Sequence, residues 1–357
     1  MLFTPGPTEM ADDIRRIGAE PLPYFRSKNY CEHVQALTED LRYLFGTTST
    51  PLTITASGTA GMEMALVNLF NPGDEVVFVN GGTFGAKWGS MARDLGLHTH
   101  EMPLEHGRDL DLQRLLDAVG PNVKGVLLSA HETSTGQRFD VRSACQALAS
   151  KDCLTIVDGV SSIGCDPFEM DAWQVDCATA CSQKGLACMP GLVFVTFSER
   201  AQRKLRQTTH FRSYLDARVY LDNIPRGMLP FTPAMHATFQ VAHMLQSIRK
   251  VGLAARIQQT AERATYFRDL MLAEPGFQLF AQTPSNALSA ITLPPGVMAT
   301  PLAGIIRDKY QAVLPLNPTK AETFIRISHM GEQHEAELAQ LAQWIIEESN
   351  ALIVLPD

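Results

Sequence analysis

A lysine and an aspartate near the middle of the chain are the first candidates for chemistry. Lys184 lies in the segment Ser182-Gln183-Lys184-Gly185, just after an apolar stretch at 175–180. A lysine in a closed pocket loses its proton more easily and can then attack an aldehyde. Asp158 ends another apolar stretch, and a carboxylate at the end of a strand can pair with a cationic ring nitrogen. Each residue also has an ordinary interpretation, Lys184 as a surface lysine and Asp158 as the N-cap of a helix.

Two further segments contain residue types that bind anions. The run from Thr55 to Gly61 consists of small residues and connects a strand-like stretch to a helix-like one. Free N–H groups and the helix dipole favour a phosphate at such a turn, although a turn without a ligand fits the pattern equally. Arg326 has apolar neighbours on both sides, and its planar guanidinium suits a carboxylate or a phosphonate. A buried structural ion pair is the alternative for Arg326.

Short apolar runs predict the strands that position these residues. They lie at 52–55, 75–79, 124–128, 153–157, 175–180 and 192–197. The longer runs do not alternate apolar with polar residues, which is typical of a parallel sheet covered by helices on both faces. Helix-like stretches separate them at 86–95, 111–119 and 141–149. The sequence therefore predicts an α/β domain from about residue 52 to 197.

The pattern changes after about residue 205. Residues 207–231 show no clear periodicity and are predicted to form a long functional loop. Two helices follow, and then come a strand at 287–293, a helix near 300–310, a strand at 323–328 and a helix at 333–350. We expect a large α/β domain at 21–245 and a smaller α+β domain at 246–357.

Composition restricts the class of protein. The 357 residues are 45% hydrophobic and 19% charged, which is ordinary for a globular enzyme and excludes disorder as the main state. A net charge of −8 argues against nucleic acid or an anionic membrane as partner, and no apolar run has the length of a membrane span. The seven cysteines form no C-x-x-C motif and predict a reduced, cytoplasmic protein. His98 and His100 share a strand face without a third ligand, so no metal site is predicted.

Taken in this order, the segments resemble the class V aminotransferases, a branch of the fold type I pyridoxal-phosphate enzymes. The resemblance covers nearly the whole chain and points to the alanine–glyoxylate, serine–glyoxylate, archaeal-type aspartate and 2-aminoethylphosphonate–pyruvate enzymes. The matching segments are Phe3-Thr4-Pro5-Gly6-Pro7, Ser57-Gly58-Thr59, Asn80 to Gly85, Glu132-Thr133-Ser134-Thr135-Gly136, Val157 to Gly164, Ser182-Gln183-Lys184, Phe231-Thr232 and Arg326 to Gly331. Two departures, Ser328 in place of glycine and Cys188-Met189 in place of a small residue or proline, are expected at the rim of the site.

The resemblance implies a fold and a set of residue roles. The fold is a large α/β domain with a mostly parallel seven-stranded sheet and a smaller C-terminal α+β domain. The resemblance also implies an N-terminal arm at 1–20 that covers the active site. Lys184 would bind pyridoxal 5′-phosphate covalently and move the substrate proton, and Asp158 would keep the ring nitrogen protonated. Arg326, Gly6 and Pro7 would bind the substrate. The other cofactor-binding residues would be Ser57, Gly58, Thr59, Phe84 on the ring face, Thr133, Ser134, Val160, Gln183 and Thr232 from a partner subunit.

The activity implied is transfer of an amino group by a homodimer whose active site is shared between subunits. The donor would be alanine, serine, aspartate or 2-aminoethylphosphonate, and the acceptor pyruvate or glyoxylate. The alternative is a lyase or cysteine desulfurase of the same fold. Such an enzyme needs a nucleophilic cysteine in the C-terminal part, and no cysteine follows Cys188. A protein of this fold used for binding or regulation would be expected to lose Lys184 or Asp158, and both are present.

Overall fold

The computed structural model describes residues 1–210, 212–317 and 321–354. Its strands are β1 (Leu52–Thr55), β2 (Glu75–Asn80), β3 (His98–Pro103), β4 (Val123–Ser129), β5 (His131–Glu132), β6 (Gln137–Arg138), β7 (Leu154–Asp158), β8 (Cys177–Cys181), β9 (Leu192–Phe197), β10 (Gln278–Leu279), β11 (Leu288–Thr292) and β12 (Phe324–Ser328). Its α-helices are α1 (Asp12–Ile17), α2 (Lys28–Phe45), α3 (Gly58–Leu69), α4 (Thr83–Asp94), α5 (Leu112–Ala118), α6 (Val141–Leu148), α7 (Glu199–Gln207), α8 (Ala217–Asn223), α9 (Met235–Val251), α10 (Leu253–Leu272), α11 (Ala299–Tyr310) and α12 (Glu335–Val354). Within these ranges, no helix has the length and apolarity required to cross a membrane.

The main sheet has seven strands in the order β1-β9-β8-β7-β4-β2-β3. Neighbouring strands from β8 to β3 pair in parallel, whereas β9 runs antiparallel to both β8 and β1. The mostly parallel seven-stranded sheet is therefore confirmed. The apolar run of β9 did not reveal its reversed direction, because a strand buried on both faces has the same pattern in either orientation.

Helices cover both faces of this sheet and bury one apolar core on each side. On one face Met62 and Leu66 of α3 and Trp88 of α4 pack against sheet residues such as Phe78. On the other face α5, α6 and α9 contribute apolar residues, including Leu115. The runs of apolar residues in the strands exist because both faces of each strand lie in a core.

A second, smaller sheet follows near the C-terminus. Its three antiparallel strands have the order β10-β11-β12 and pack with α10, α11 and α12 around their own apolar core. This α+β arrangement is the smaller C-terminal domain that was predicted. Helix α9 continues through residue 245, so the division of the chain at 245/246 stays a prediction.

The N-terminal residues connect the two cores. The N–H of Phe3 donates to the carbonyl of Val313, and the carbonyl of Phe3 accepts from Ser328 N, each at 3.0 Å. Phe3 is buried in the core of the smaller sheet, whereas Ile14 of α1 is buried in a core of the main sheet. Residues 4–11 therefore span from one core to the other.

Several elements of the structure were not predicted from the sequence, among them α1, α2, α7, α8, β5, β6 and β10. Helix α2 was not predicted, although its apolar positions Val34, Leu37, Leu41 and Leu44 recur at helical spacing. The segment 207–231, predicted as a loop, contains α8 and a 3₁₀ turn at Ile224–Arg226. Asp216 caps α8 by accepting from Arg218 N. Because α8 has only seven residues, its helical periodicity is too short to be recognised in the sequence.

Candidate active site

The predicted site residues follow strands whose carboxyl ends lie at one edge of the main sheet. Asp158 is the last residue of β7, and Lys184 comes three residues after β8, which pairs with β7 in parallel. The turn after β1 holds Ser57, Gly58 and Thr59. Ligands of open α/β sheets bind at this edge, because loops there surround a crevice.

Lys184 lies beneath the N-terminal segment. Its Nζ donates a hydrogen bond to the carbonyl of Pro5. Gly6 has a φ of +134° and lies so close that an added Cβ would be 2.6 Å from Lys184 Cδ and 2.7 Å from Nζ. Burial lowers the pKa of the Lys184 amine, and the positive charges of Arg326 and Lys87 lower it further. The neutral amine that attacks an aldehyde is thereby favoured.

Asp158 is a buried carboxylate that is only partly satisfied. Its Oδ1 accepts from Val160 N at 2.9 Å and from Thr179 Oγ1 at 3.4 Å. Among the described residues, no hydrogen bond reaches its Oδ2. Burial raises the pKa of Asp158 to about 6, and the nearby charge of Glu132 adds to the effect. A cationic group at Oδ2 would favour the ionised form.

Glu132 fixes the start of α4 and the position of Phe84. Its fully buried carboxylate accepts from Phe84 N at 3.1 Å and from Gly85 N at 2.9 Å. A carboxylate at a helix N-terminus satisfies free N–H groups and matches the helix dipole. Gly82 makes the approach possible, since a Cβ there would lie 2.4 Å from Ser134 Oγ.

The two hydroxyls that were expected near the ring have different surroundings. Ser134 Oγ donates to Glu132 at 2.6 Å and accepts from Thr83 N at 3.0 Å, and the residue is fully buried. Thr133 Oγ1 lies 2.5 Å from Ser161 Oγ. Ser134 therefore belongs to the cluster around Glu132, and Thr133 has the hydroxyl closer to Ser161 and the end of β7.

Arg326 reaches the same region from the smaller sheet. Its Nη1 donates to the Thr133 carbonyl at 2.9 Å, and its Nε donates to Asn317 Oδ1 at 3.0 Å. Burial lowers the pKa of Arg326 to about 10, which leaves the guanidinium charged at neutral pH. A charged guanidinium held by backbone and amide oxygens, beside Lys184, can bind a carboxylate.

The turn after β1 has the features of an anion site. Ser57 is the N-cap of the twelve-residue helix α3, and its side chain makes no capping hydrogen bond among the described residues. Gly58 faces Val160, where an added Cβ would lie 3.0 Å from Cγ2. Thr59 Oγ1 accepts from Lys87 Nζ at 3.3 Å. Helix N–H groups, hydroxyls and a lysine therefore meet at one place.

The contacts of three other predicted residues say little about the roles predicted for them. Gln183 is half-buried next to Lys184, and Pro7 is exposed, with its carbonyl accepting from Thr4 Oγ1 at 2.6 Å. Thr232 is exposed, and no hydrogen bond among the described residues joins it to the other predicted cofactor residues. An exposed Thr232 stays a predicted contact to another subunit.

The expectation that both sequence departures lie at the rim of the site was wrong for Ser328. Ser328 is fully buried opposite Leu288 in the smaller sheet, and its Oγ accepts from Met330 N at 3.2 Å. Cys188 is also buried and donates to the Leu186 carbonyl. Neither of these two side chains is exposed, whereas Met189 is half-buried and its N–H donates to Gln240 Oε1 at 3.0 Å.

Sequence reasoning passed over Glu132, Lys87 and Ser161 as functional residues. Glu132 lies within a motif that was singled out, but its contact with α4 spans 47 residues of sequence. Lys87 lies three residues after Phe84, a helical spacing that puts both on one side of α4. For Lys87, this spacing was the signal that the sequence offered.

Comparisons with known proteins agree with this geometry. Residues 24–300 match the family described as Aminotransferase class-V. A serine–glyoxylate aminotransferase of Methylorubrum extorquens is 31% identical over 354 residues, covering 94% of this chain and 88% of the relative. An aspartate aminotransferase of subgroup IV from Thermus thermophilus superposes with a TM-score of 0.91 at 27% identity, covering 98% of this chain and 99% of that one. An alanine–glyoxylate aminotransferase from Nostoc sp. gives 0.93 at 25% identity, covering 98% and 94%.

Proposed function

Because this chain belongs to the class V aminotransferases, we propose that it moves the amino group of a small L-amino acid to glyoxylate or pyruvate. The pyridoxal-phosphate-dependent aminotransferase activity follows from the family, and the choice of substrates is the proposal. The observation that supports it best is geometric. Asp158 and Lys184 follow two paired parallel strands at one edge of the main sheet, and Arg326 reaches Thr133 in the same region from the smaller sheet.

The residues present fit pyridoxal phosphate. Bound there, the cofactor supplies an aldehyde and a protonated ring that draws electrons from the substrate α-carbon. Lys184 would bind it at the aldehyde, and the unpartnered Oδ2 of Asp158 would accept from its ring nitrogen. Ser57, Gly58, Thr59 and Gln183 would hold the phosphate. Phe84 would lie on the ring face, with Thr133 near the ring hydroxyl and Val160 beside the ring.

The side chains of this protein would bind and deprotonate the substrate. Arg326 would pair with the donor carboxylate, which places the α-carbon near Lys184. Burial lowers the pKa of Lys184, which favours the neutral amine that would accept the α-proton and return it elsewhere as a general acid. The buried surroundings of Asp158 keep water away from the charge that it would share with the ring nitrogen.

The N-terminal segment supports a small donor. Pro5 and Gly6 lie directly against Lys184, and Gly6 has no side chain that would occupy the space. Alanine, serine and aspartate are small donors of the kind named for the relatives. An α-carboxylate donor is favoured over 2-aminoethylphosphonate, because the three similar proteins reported above are named for serine, aspartate and alanine.

The test is a panel of half-reactions. Protein loaded with pyridoxal phosphate is mixed with L-serine, L-alanine, L-aspartate or 2-aminoethylphosphonate, without an oxo acid, and its absorbance is followed. We expect one of the three amino acids to bleach the cofactor band, and glyoxylate or pyruvate to restore it. Bleaching by 2-aminoethylphosphonate alone, or by no donor, would contradict the proposed substrates.

Substitution of Lys184 tests the catalytic assignment separately. We expect Lys184→Ala to lower turnover by at least roughly 10²–10⁴-fold, the usual contribution of a general acid–base group. Lys124→Ala, at the exposed amino end of β4, is the control and should leave turnover unchanged. Appreciable transamination by the Lys184 variant would show that another group moves the proton.

The lyase alternative is less supported. All seven cysteines are free thiols, and all except the half-buried Cys31 are buried. Burial raises the pKa of the thiols of Cys165 and Cys181 to about 12, which disfavours the nucleophilic thiolate. A desulfurase needs a reactive thiolate at the substrate. Protein loaded with pyridoxal phosphate should therefore release no sulfide when L-cysteine and a reducing thiol are added.

A homodimer and a cytoplasmic location complete the proposal. The exposed Thr232 would reach the cofactor phosphate of a second subunit. Seven free thiols without a disulfide fit a reducing compartment, the cytoplasm.

A further inference from the structure

Lys87 is a half-buried cation beside the predicted phosphate turn. It lies on α4, one turn after Phe84, and its Nζ is 3.3 Å from Thr59 Oγ1 at the start of α3. The same Nζ lies 5.3 Å from the centre of the Phe84 ring. Lys87 therefore contacts both Phe84, which is proposed for the ring face, and Thr59, which is proposed for the phosphate.

In the part of the chain that the structure describes, no carboxylate pairs with this lysine. Among the ion pairs formed by the described residues, none includes Lys87. Its positive charge instead acts on the site. It partly offsets the rise in the pKa of Asp158 that burial causes, and it adds to the lowering of the pKa of Lys184. A lysine held near two reactive groups, and bonded only to a threonine hydroxyl, has donors left for an anion.

The charge of a phosphate ester needs such a cation. A phosphate monoester carries about −1.5 to −2 charges near pH 7, whereas a helix N-terminus offers the equivalent of roughly +0.5. Arg326 donates to Thr133, Leu316 and Asn317 and is proposed to bind the substrate carboxylate. Lys184 would bind the cofactor through its amine. Lys87 is then the lysine placed at the phosphate end.

We propose that Lys87 binds the phosphate group of the cofactor, through the geometry that Thr59 and Phe84 give it. The aromatic face of Phe84 attracts the ammonium and holds the side chain on the correct side of α4. The inference rests on the cofactor orientation proposed above. It adds a residue that retains the cofactor without taking part in the proton transfer.

The test compares two ligands that differ only in the phosphate. Cofactor-free protein is titrated with pyridoxal phosphate and with pyridoxal, and binding is followed by absorbance. Lys87→Met removes the charge and keeps the length of the stem. We expect this variant to weaken pyridoxal phosphate binding by about tenfold or more, the equivalent of one charge-assisted hydrogen bond. Binding of pyridoxal should stay unchanged.

Control variants separate charge from packing and from net charge. Lys87→Arg should bind pyridoxal phosphate nearly as well as the natural protein, whereas Lys87→Gln should resemble Lys87→Met. Lys124→Met makes the same change in net charge at the exposed amino end of β4 and should have no effect. The affinity of the natural protein should also fall more steeply with added NaCl than that of Lys87→Met.

Three outcomes of these titrations would overturn the proposed role of Lys87. Equal affinity of Lys87→Met and the natural protein for pyridoxal phosphate would overturn the role of Lys87 and leave the cofactor site intact. Equal weakening of both ligands would show that Lys87 only supports the fold of the site. Failure of the natural protein to bind pyridoxal phosphate at all would refute the cofactor site together with this inference.

Discussion

Burial of Asp158 makes its negative charge unfavourable until a cation lies beside it. Its pKa is raised to about 6 from the ordinary value of 3.8, so the folded chain binds this proton more tightly than the unfolded chain does. The stability of the cofactor-free protein therefore falls as the pH rises from 3.8 to about 6. Above that range the full cost, on the order of 2–3 kcal/mol, remains. The ring nitrogen of the cofactor would offset this cost.

Asp158→Asn should therefore stabilise the cofactor-free protein at pH 8 while destroying function. We expect a gain on the order of 2 kcal/mol in the free energy of unfolding at pH 8, and little gain below about pH 4. Denaturant unfolding at the two pH values measures it, with the exposed Asp152→Asn as control. A loss of stability at pH 8 would show that the charge is already balanced in the cofactor-free protein.

Arg326 should act on the affinity for the donor and not on the affinity for the cofactor. Its guanidinium would pair with the donor carboxylate, and a charge-assisted hydrogen bond contributes about 1.5–3 kcal/mol. Arg326→Ala is expected to raise KM for the amino acid by roughly 10- to 100-fold, with pyridoxal phosphate still bound. An amine donor without a carboxylate is the control, because its rate should change little. An unchanged KM for every carboxylate donor would remove Arg326 from the substrate site.

At the level of elements, the start of α4 depends on a distant strand end. Glu132 follows β4 and holds the first N–H groups of α4, so Phe84 keeps its place only when β4 and β2 lie side by side. The contact also explains why Gly82 precedes the helix, since any larger residue would displace Ser134. The position of Phe84 is thus a property of the paired strands and not of α4 alone.

The N-terminal segment should limit the movement of Lys184. Gly6→Ala would add a Cβ 2.6 Å from Lys184 Cδ, and the residue has a positive φ. We expect the variant to lower kcat and to weaken cofactor binding, because Lys184 or residues 5–7 must shift. Gly73→Ala is a matched control, since Gly73 has a φ of +89° but open space around its Cβ position. If both variants keep full activity, residues 5–7 move away from Lys184 without cost.

For the whole molecule, we expect a second subunit to bind at an exposed pair of aromatic residues beside Thr232. Phe231 and Tyr214 are 37% and 38% exposed and stack with ring centres 4.7 Å apart. Large aromatic residues are enriched at interfaces and carry much of the binding energy there. Because Tyr214 donates to the Thr55 carbonyl at the end of β1, this surface adjoins the phosphate turn.

Phe231→Asp should therefore dissociate the dimer and reduce cofactor affinity together. Sedimentation is expected to show a dimer for the natural protein and a monomer for the variant, whose activity should fall with its pyridoxal phosphate content. Leu272→Asp places the same charge at an exposed apolar position on α10 and should change neither property. A monomer with full activity would refute the shared site.

The order of residues along the chain determined which segments form strands and where the reactive groups follow them. Strands buried on both faces need runs of apolar residues, so β2, β4, β7 and β9 could be recognised locally. Lys184 and Asp158 were recognised because each follows such a run. Short or less periodic elements, such as α8, were missed because a few residues carry too little pattern.

Tertiary structure alone decided how those groups meet. The contact of Pro5 with Lys184 and that of Arg326 with Thr133 join residues separated by 179 and 193 positions in sequence. The reversed direction of β9 also became visible only in the folded sheet. A residue pattern reports burial and backbone conformation over a few neighbours. Contacts over such distances depend instead on the order of strands and on how two cores pack, which only the folded chain establishes.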